Sequence, residues 1–399
     1  MFSKKTLVII SLVFSIIYHF IFYFRLYGPS LSKMVYYANS LLALASVFII
    51  ILVYFGTTWR SDIMGSKFSR IFDIMILWIF ISFIRSAINI HGMSEWMDFL
   101  FNPYLGLSLF PAFFFLVGVN LKYFSTVNII LTSYCILAWI FSLFFMSYSE
   151  LQVFLLMPIS YLIITFPLQS SKNRILILLI SVTVIITSWT NRAGVMRILI
   201  SYLIIVIYFV IVKFKVNRKI INIILFCILM SPIYLLYLGI NGENVIEKIL
   251  GNNIGGYGQE NLRADTRTFL YFEVFQDLNM KKAFIFGKGI NAGYLSYSFQ
   301  TLNRNVVEVG FLQVLLKSGM LGFLLYISLI ISAIYKALNK SKNIFMKFLG
   351  LFLASYVMLF FIENVLAFNL FNIVIWLVIG ICHSEELRNL SDYEIKTIY

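Results

Sequence analysis

Apolar runs of about twenty residues follow one another along most of this chain, and they constrain its fold more than any other feature. Of the 399 residues, 61% are hydrophobic and 12% are charged, whereas a soluble domain carries about 25% charged residues. Backbone polar groups in lipid must be satisfied within their own segment, so apolar runs of this length have to be helices. The sequence therefore predicts an all-α polytopic membrane protein and excludes a soluble globular domain.

The runs predict about twelve transmembrane helices and one long polar interruption. The predicted spans are 6–24, 34–55, 71–90, 104–119, 127–147, 151–168, 175–190, 196–212, 220–240, 307–334, 345–362 and 366–383. They divide the chain into residues 1–240 with nine helices, a large loop at 241–305, residues 306–383 with three helices, and a tail at 384–399. The first run lacks a small-residue cleavage site, so we interpret it as a transmembrane helix and not as a signal peptide.

Lysine and arginine residues fall mainly on one side of this arrangement. With the N-terminus inside the cell, the predicted cytoplasmic segments hold eighteen basic residues, whereas the short external loops hold only Arg25, Lys33, Arg192 and Arg197. This bias predicts cytoplasmic N- and C-termini and places the large loop outside the cytoplasm. Because topology explains most of the net charge of +14, we predict the lipid bilayer as a partner and no nucleic acid.

The loop at 241–305 is far longer than an ordinary connection between helices, and loops of that length are usually functional or disordered. It opens with the glycine-rich stretch 251–258, which is typical of an irregular loop. Residues 261–278 follow with Leu262, Phe269, Phe272 and Phe275 at helical spacing. Since this aromatic content argues against disorder, we expect a small folded cap containing short helices.

Two basic residues, Arg85 and Lys317, lie inside predicted apolar spans. An ionisable side chain there costs several kcal/mol unless it is paired or reaches water. A structural tether between helices and a functional role both explain such a residue, and the sequence does not separate them.

The sequence offers no metal or nucleotide site. Its three cysteines fall in apolar runs without ligand spacing, and its histidines have no partner at metal-binding distance along the chain. The glycine-rich stretch is not followed by the Lys-Ser/Thr of a P-loop. We therefore predict no metal and no cofactor.

Several polar residues are predicted to meet at the external ends of the helices. Arg192 follows the seventh span, Glu308 begins the tenth, and Glu363 ends the eleventh. In the loop, Arg263 and Arg267 are four residues apart and so share one face of a helix. Guanidinium groups match phosphate oxygens in a bidentate manner, so this cluster suits an anionic, lipid-linked substrate. Simpler interpretations stay open: a solvated helix face, headgroup binding, an interfacial anchor, or a structural pair for Glu308.

Three stretches carry a resemblance to a known family. They are Thr190-Asn-Arg-Ala-Gly-Val195, then Arg267-Thr-Phe-Leu-Tyr271 with Phe286-Gly-Lys-Gly289, and the segment from Glu308 to Gly322. In their order around one long external loop, they resemble the O-antigen polymerase and ligase superfamily of bacterial envelope polysaccharide assembly. Ligases of that superfamily characteristically have a histidine, usually followed by asparagine, where this chain has Glu308-Val309. The resemblance is therefore closer to a polymerase of the Wzy type.

The resemblance implies a glycosyltransferase of the bacterial cytoplasmic membrane. Its donor and acceptor would be glycans linked to undecaprenyl pyrophosphate, and further partners would be the flippase and the chain-length regulator of the pathway. The residues that the resemblance assigns to the pyrophosphate are Arg192, Arg263 and Arg267, with Arg197 and Arg85 as further candidates. Glu308 would be the general base, and together with Arg192 and Arg267 it forms the predicted catalytic set.

Two other functions stay open from the sequence. One is an O-antigen ligase of the same superfamily, against which Glu308 argues. The other is a flippase or transporter of lipid-linked oligosaccharide, a class that often has two repeated halves and polar sites at the membrane midplane. The chain shows no such halves, and its polar residues gather at one predicted face.

Overall fold

The computed structural model describes residues 3–27, 33–55, 66–144, 154–187, 192–213, 268–297, 302–364 and 366–398, together with single helical positions at 223, 226, 230 and 237. Apart from one two-stranded sheet, the regular structure in these ranges is helical. This confirms the prediction of an all-α chain. Residues 241–267, including the glycine-rich stretch, lie outside the described residues, as does most of the predicted span at 220–240.

The described helices are numbered here in chain order. They are α1 (Lys4–Tyr27), α2 (Lys33–Phe55), α3 (Ser66–Ala87), α4 (Met93–Phe101), a 3-10 helix (Gly106–Phe114) continuing as α5 (Phe115–Val119), α6 (Leu121–Phe144), α7 (Leu156–Ile164) with a 3-10 turn (Phe166–Leu168), α8 (Ser171–Thr187), α9 (Arg192–Lys213), α10 (Thr268–Met280), α11 (Gly310–Asn339), α12 (Ile344–Phe360), α13 (Leu370–His383), α14 (Glu385–Asn389) and α15 (Asp392–Ile398). The strands are β1 (Tyr294–Ser296) and β2 (Leu302–Arg304).

Four stretches of the described residues are long and apolar enough to cross a membrane: Lys4–Arg25, Met93–Val119, Leu121–Phe144 and Gly310–Asn339. Shorter apolar helices cover Tyr37–Val53, Gly194–Ile207, Ile344–Phe360 and Leu370–His383. The chain is thus built from apolar helices of membrane-spanning character. The number twelve stays a prediction.

A proline separates α4 from the predicted span that follows it. Asn102 precedes Pro103 and is extended, with ψ 124°, so α4 ends there instead of running into the following helix. The Asn102 carboxamide oxygen accepts from the Tyr104 backbone N–H at 3.0 Å, which fixes the turn. The predicted span 104–119 is a 3-10 helix, which contains Pro111, followed by the short α5.

Helix α13 lies at the centre of the molecule, because all of its residues are buried. It packs against α1, α5, α7, α11 and α12. Its contact with α5 is backbone to backbone: a Cβ on Gly380 would lie 2.2 Å from the Phe115 carbonyl oxygen, and one on Gly118 would lie 2.1 Å from that of Leu377. Glycine at both positions is what permits the two helices to approach this closely.

Helix α11 is broken near its start. Gly319 has φ 69° and ψ −173°, which divides the helix into a short segment, 310–318, and a long segment, 320–339. The long segment alone measures about 30 Å at 1.5 Å per residue, enough to cross a bilayer. Lys317 therefore precedes the spanning part of α11, at the end of the short segment, and is not in the middle of a continuous span.

The part of the large loop that the structure describes is folded. Strands β1 and β2 pair antiparallel, with Tyr294 opposite Arg304. Helix α10 buries Leu270, Val274 and Leu278, whereas the predicted face included Phe272, which is 54% exposed. The buried face of α10 differs because the helix packs on α11 and β1 with that side.

The two ends of the bundle are formed by different segments of the chain. We call the end at which Gly310 meets Glu363 the loop end, since α10, β1 and β2 lie there; the Gly310 N–H donates to the Glu363 carbonyl at 3.0 Å. We call the end formed by Asn339, Asn343 and His383 the tail end. There Asn343 caps α12 and also donates to the Leu387 and Leu390 carbonyls of the tail.

Candidate functional site

A buried ion pair stands at the loop end. Arg197, in the second turn of α9, forms a salt bridge with Glu363, which follows α12. The Arg197 side chain is 4% exposed and that of Glu363 is 13% exposed. The guanidinium carbon also lies 5.9 Å from the centre of the Phe371 ring. Because both charges are largely removed from water, each depends on the other for its stability.

A second, more open ion pair involves Glu308, which precedes α11. The Arg304 Nη2 atom, at the end of β2, donates to Glu308 Oε1 at 3.1 Å. These side chains are 28% and 42% exposed, respectively. An ion pair at this exposure stabilises the fold by only about 0.2–1 kcal/mol, so its effect is mainly to orient the carboxylate.

One short segment, Glu363–Asn364, brings the two ion pairs to the same end. Its Glu363 carbonyl accepts from Gly310, and the Asn364 carboxamide donates to the Val307 carbonyl at 2.7 Å. The backbone on both sides of Glu308 is thereby fixed to the short segment that contains Glu363, the partner of Arg197. The predicted convergence of Glu308 and Glu363 is present.

The other predicted arginines are placed less completely. Arg192 is the first residue of α9, about 7.5 Å along the helix axis from Arg197. Arg263 and Arg267 lie outside the described residues, although Arg267 directly precedes α10 in the sequence. The pyrophosphate-binding roles of these three residues stay predictions.

Both basic residues of the predicted spans contact a single loop, Phe286–Ile290. Arg85 Nη2 donates to the Gly287 carbonyl at 2.8 Å, and Lys317 Nζ donates to the Ile290 carbonyl. Ser86 adds a third contact, because its hydroxyl accepts from the Ile290 N–H at 2.7 Å. Arg85 and Lys317 therefore each connect a helix to the loop, as expected for structural tethers. A substrate-binding role for Arg85 stays a prediction.

Buried charges hold this loop to α10. The Lys288 ammonium pairs with Asp277 at 2.6 Å and donates to the Gly293 carbonyl at 2.5 Å. The Ser296 hydroxyl donates to Glu273 at 2.7 Å. Burial also raises the pKa of the Tyr294 phenol in β1, which keeps it protonated. Sequence reasoning missed these residues and Arg304, since only the hairpin fold brings them together.

A cavity of about 90 Å³ lies beside the loop, between α3, the 3-10 helix, α11 and α13. Its polar lining comes from Ser108, Gln313, Lys317, Ser318, Asn372 and the indole of Trp78. Its aromatic lining includes Tyr326 and Trp376. The sequence singled out Lys317, but nothing in it indicated that Trp78 would face the same space.

The histidines have structural partners. His19 accepts from the Leu370 N–H at 3.2 Å, and its other ring nitrogen lies 3.1 Å from the Phe154 carbonyl oxygen. His383 lies 3.0 Å from the Lys336 ammonium at the tail end. In the part of the chain that the structure describes, no group of three histidine, cysteine or acidic residues is arranged to hold a metal ion.

The loop end thus combines a half-exposed carboxylate, a buried guanidinium–carboxylate pair and a loop fixed by basic side chains. This combination suits a reaction in which one group accepts a proton while cationic groups stabilise a developing anion. No protein-family model, curated protein or solved structure matches the chain.

Proposed function

We propose that this chain is a polysaccharide polymerase of the bacterial cytoplasmic membrane. It joins oligosaccharide repeat units linked to undecaprenyl pyrophosphate, at the outer face, for O-antigen, capsule or another exopolysaccharide. The observation that carries the proposal is that the Glu363–Asn364 segment, which pairs with Arg197 of α9, also hydrogen-bonds the backbone on both sides of Glu308. Arg192 begins the same helix α9.

The proposed topology has twelve spans with both termini in the cytoplasm. Supporting it, the tail end carries Lys336, Lys340, Lys342 and Arg388, whereas the half-exposed carboxylate of Glu308 lies at the opposite end of α11. Basic residues are retained on the cytoplasmic side of membrane proteins. The loop end then faces outward, where lipid-linked repeat units are presented.

In the proposed reaction, a hydroxyl of the acceptor sugar attacks the anomeric carbon of the donor glycan. A new glycosidic bond forms as the bond to the pyrophosphate oxygen breaks, and undecaprenyl pyrophosphate leaves. Glu308 takes the proton of the attacking hydroxyl, and its 42% exposure leaves it open to an acceptor. Arg304 holds the carboxylate in place without burying it.

Arginines stabilise the departing pyrophosphate, since negative charge increases on the leaving oxygen in the transition state. We assign this role to Arg192, Arg263 and Arg267. Arg197 has a different role in the proposal: its guanidinium is already paired, so it positions the Glu363–Asn364 segment that fixes the backbone beside Glu308.

A complementation experiment tests the proposal. A strain lacking the chain is supplied with the wild type, Glu308→Gln, Arg192→Ala or Arg267→Ala, and the polymer is resolved by gel electrophoresis. Each variant should reach the membrane at the wild-type level yet make no long-chain polymer. The matched control is Glu95→Gln, since Glu95 is an exposed acidic residue in the first turn of α4.

The lipid-linked units that accumulate in the deletion strain separate the rival functions. Single repeat units facing outward support a polymerase, whereas units facing the cytoplasm identify a flippase. Polymer that forms at full length but is not transferred from its lipid carrier identifies a ligase. Full-length polymer from all three site variants overturns the assignment of the residues.

A further inference from the structure

The cavity beside the Phe286–Ile290 loop contains a buried lysine with unused hydrogen-bonding capacity. Lys317 is 6% exposed and donates to a single described acceptor, the Ile290 carbonyl. An ammonium group carries three donors. The ion pairs found among the described residues do not include Lys317. Asp98 attracts the Lys317 ammonium group electrostatically but forms no described hydrogen bond with it. The Asp98 carboxylate accepts a hydrogen bond from the Asn102 carboxamide.

A second donor in the same cavity has no acceptor. The Trp78 indole nitrogen is buried and makes no hydrogen bond to any residue that the structure describes. An indole N–H is only a donor, and leaving it unsatisfied in a buried place is unfavourable. Space beside it is kept by Gly322, where a Cβ would lie 2.8 Å from the indole nitrogen. The lining also includes the buried Asn372 carboxamide oxygen, which has no described donor. A phosphate monoester suits this set, because its oxygens accept from the two donors and its protonated form also carries an O–H that can donate to Asn372.

The size and the charge of the cavity narrow the ligand. The cavity of about 90 Å³ exceeds the space that a single water molecule needs, so it has room for a small oxyanion beside the Lys317 side chain. Lysine is a common point-charge ligand for phosphate. The hydroxyl of Ser318 and the carboxamide of Gln313 also line the space, and both can donate to such an anion.

The surface next to the cavity is apolar and exposed. Phe286 is 55% exposed and its ring lies 6.1 Å from that of Trp78. Leu77 on α3 and Leu324 on α11 are 59% and 53% exposed. In a bilayer such side chains face lipid, so a hydrocarbon chain can lie along this surface while its headgroup reaches the cavity wall.

We propose that the cavity binds the phosphate group of a membrane lipid, with Lys317 and the Trp78 indole N–H as its ligands and with the lipid tail against Leu77, Phe286 and Leu324. Glu308 does not line this cavity. This lipid site does not depend on the polymerase function, because it concerns binding of a lipid phosphate and not glycan transfer.

The test uses the full chain purified in a phosphate-free detergent, with polyprenyl monophosphate as the probe and the matching polyprenol as its uncharged counterpart. Binding is measured by native mass spectrometry over a range of lipid concentrations. The wild type should bind the monophosphate at least tenfold more tightly than the polyprenol, as expected for a charge-assisted hydrogen bond. Equal binding of the two lipids overturns the proposal.

Two variants identify the ligands. Lys317→Met should lower the affinity about tenfold or more, and Trp78→Phe, which removes only the N–H, roughly fivefold. Lys281→Met is the control, because Lys281 is exposed and outside the cavity. If Lys317→Met fails to fold, Trp78→Phe decides alone. Unchanged binding in Trp78→Phe and in any folded Lys317→Met overturns the proposal.

The source of the phosphate is tested with inorganic phosphate by equilibrium dialysis. We expect inorganic phosphate to show no saturable binding that depends on Lys317, so the wild type and Lys317→Met should give the same result. If free phosphate binds in a manner dependent on Lys317 and the lipid does not, the cavity is a site for the soluble anion and the lipid proposal is wrong.

Discussion

Gly287 and Gly319 meet backbone to backbone: a Cβ on Gly287 would lie 2.5 Å from the Gly319 nitrogen, and one on Gly319 would lie 2.4 Å from the Gly287 nitrogen. Both residues have φ 69°. The loop that contains Gly287 therefore enters the gap at which α11 breaks.

The same loop satisfies both helix ends created by the break. The Lys288 N–H donates to the Leu316 carbonyl at 2.8 Å, at the end of the short segment. The Met320 N–H, at the start of the long segment, donates to the Phe284 carbonyl at 2.9 Å. Unsatisfied groups at helix ends are costly when buried, so the break in α11 and the loop stabilise each other.

Alanine at either glycine should therefore destabilise the protein. Gly319→Ala and Gly287→Ala each introduce a Cβ at positive φ and against backbone, which we expect to cost about 3 kcal/mol. Thermal unfolding in detergent measures the effect. Gly92→Ala is the control, because the atom nearest to its Cβ is 3.8 Å away. A wild-type melting temperature for both loop variants would contradict the role of this contact.

The buried pair of Arg197 and Glu363 predicts strong coupling between the two positions. Arg197→Met leaves the Glu363 carboxylate buried without its partner, and we expect a loss of about 3–5 kcal/mol in stability. The double variant Arg197→Met/Glu363→Gln should be more stable than Arg197→Met alone. A double-mutant cycle on unfolding free energies measures this. Additive effects would show that the two charges do not depend on each other.

Under the proposed function, we expect Arg304 to support polymer synthesis by positioning the Glu308 carboxylate. Arg304→Met should shorten the polymer and lower its amount about tenfold, because Glu308 loses the donor that orients it. Arg304→Lys keeps a charged donor and should recover part of the activity at unchanged membrane level. The polymer profile of the two variants is the measurement, and equal profiles would argue for a purely structural role.

At the tail end, we expect the stability of α15 to depend on pH. Hydrogen bonds from the Ser391 backbone N–H and hydroxyl lower the pKa of Glu394 from its ordinary value of 4.5. With the folded pKa depressed, this contribution to α15 is present above about pH 4.5 and is lost as the pH falls through the folded value. The protection factor of the Ile395 amide, which donates to the Ser391 carbonyl at 3.1 Å, should therefore decrease at low pH when it is calculated against the intrinsic exchange rate at each pH.

Glu394→Gln provides the comparison for that experiment. The carboxamide oxygen of the variant can still accept from Ser391 but carries no titrating charge. The backbone protection factors in α15 should therefore no longer decrease at low pH. An identical decrease in the variant would assign the effect to another group.

The helical class of this chain is predictable from sequence because apolar runs in lipid permit few other structures. The placement of Glu308 beside Glu363 is predictable as well, since alternating spans bring the end of one helix to the start of another. For the same reason the sequence places Arg192 and Arg197 at one end, although it does not predict that Arg197 pairs with Glu363.

The contacts between distant segments were not predictable. Gly319 stands in an apolar run that is indistinguishable from a continuous span, and its positive φ depends on the loop that packs against it. Arg304 pairs with Glu308 only because β1 and β2 form a hairpin. Trp78 faces the cavity through the rotation of α3, which an apolar helix with no strong polar face does not encode.

The complete burial of α13 has a consequence for how the chain is made. At about 21 Å this helix is shorter than the hydrocarbon core of a bilayer, and protein surrounds it on every side. Its neighbours α1, α5, α7, α11 and α12 all precede it in the chain, so each is synthesised before α13 leaves the ribosome. We therefore expect α13 to be the last of these helices to pack, between neighbours that have already been synthesised.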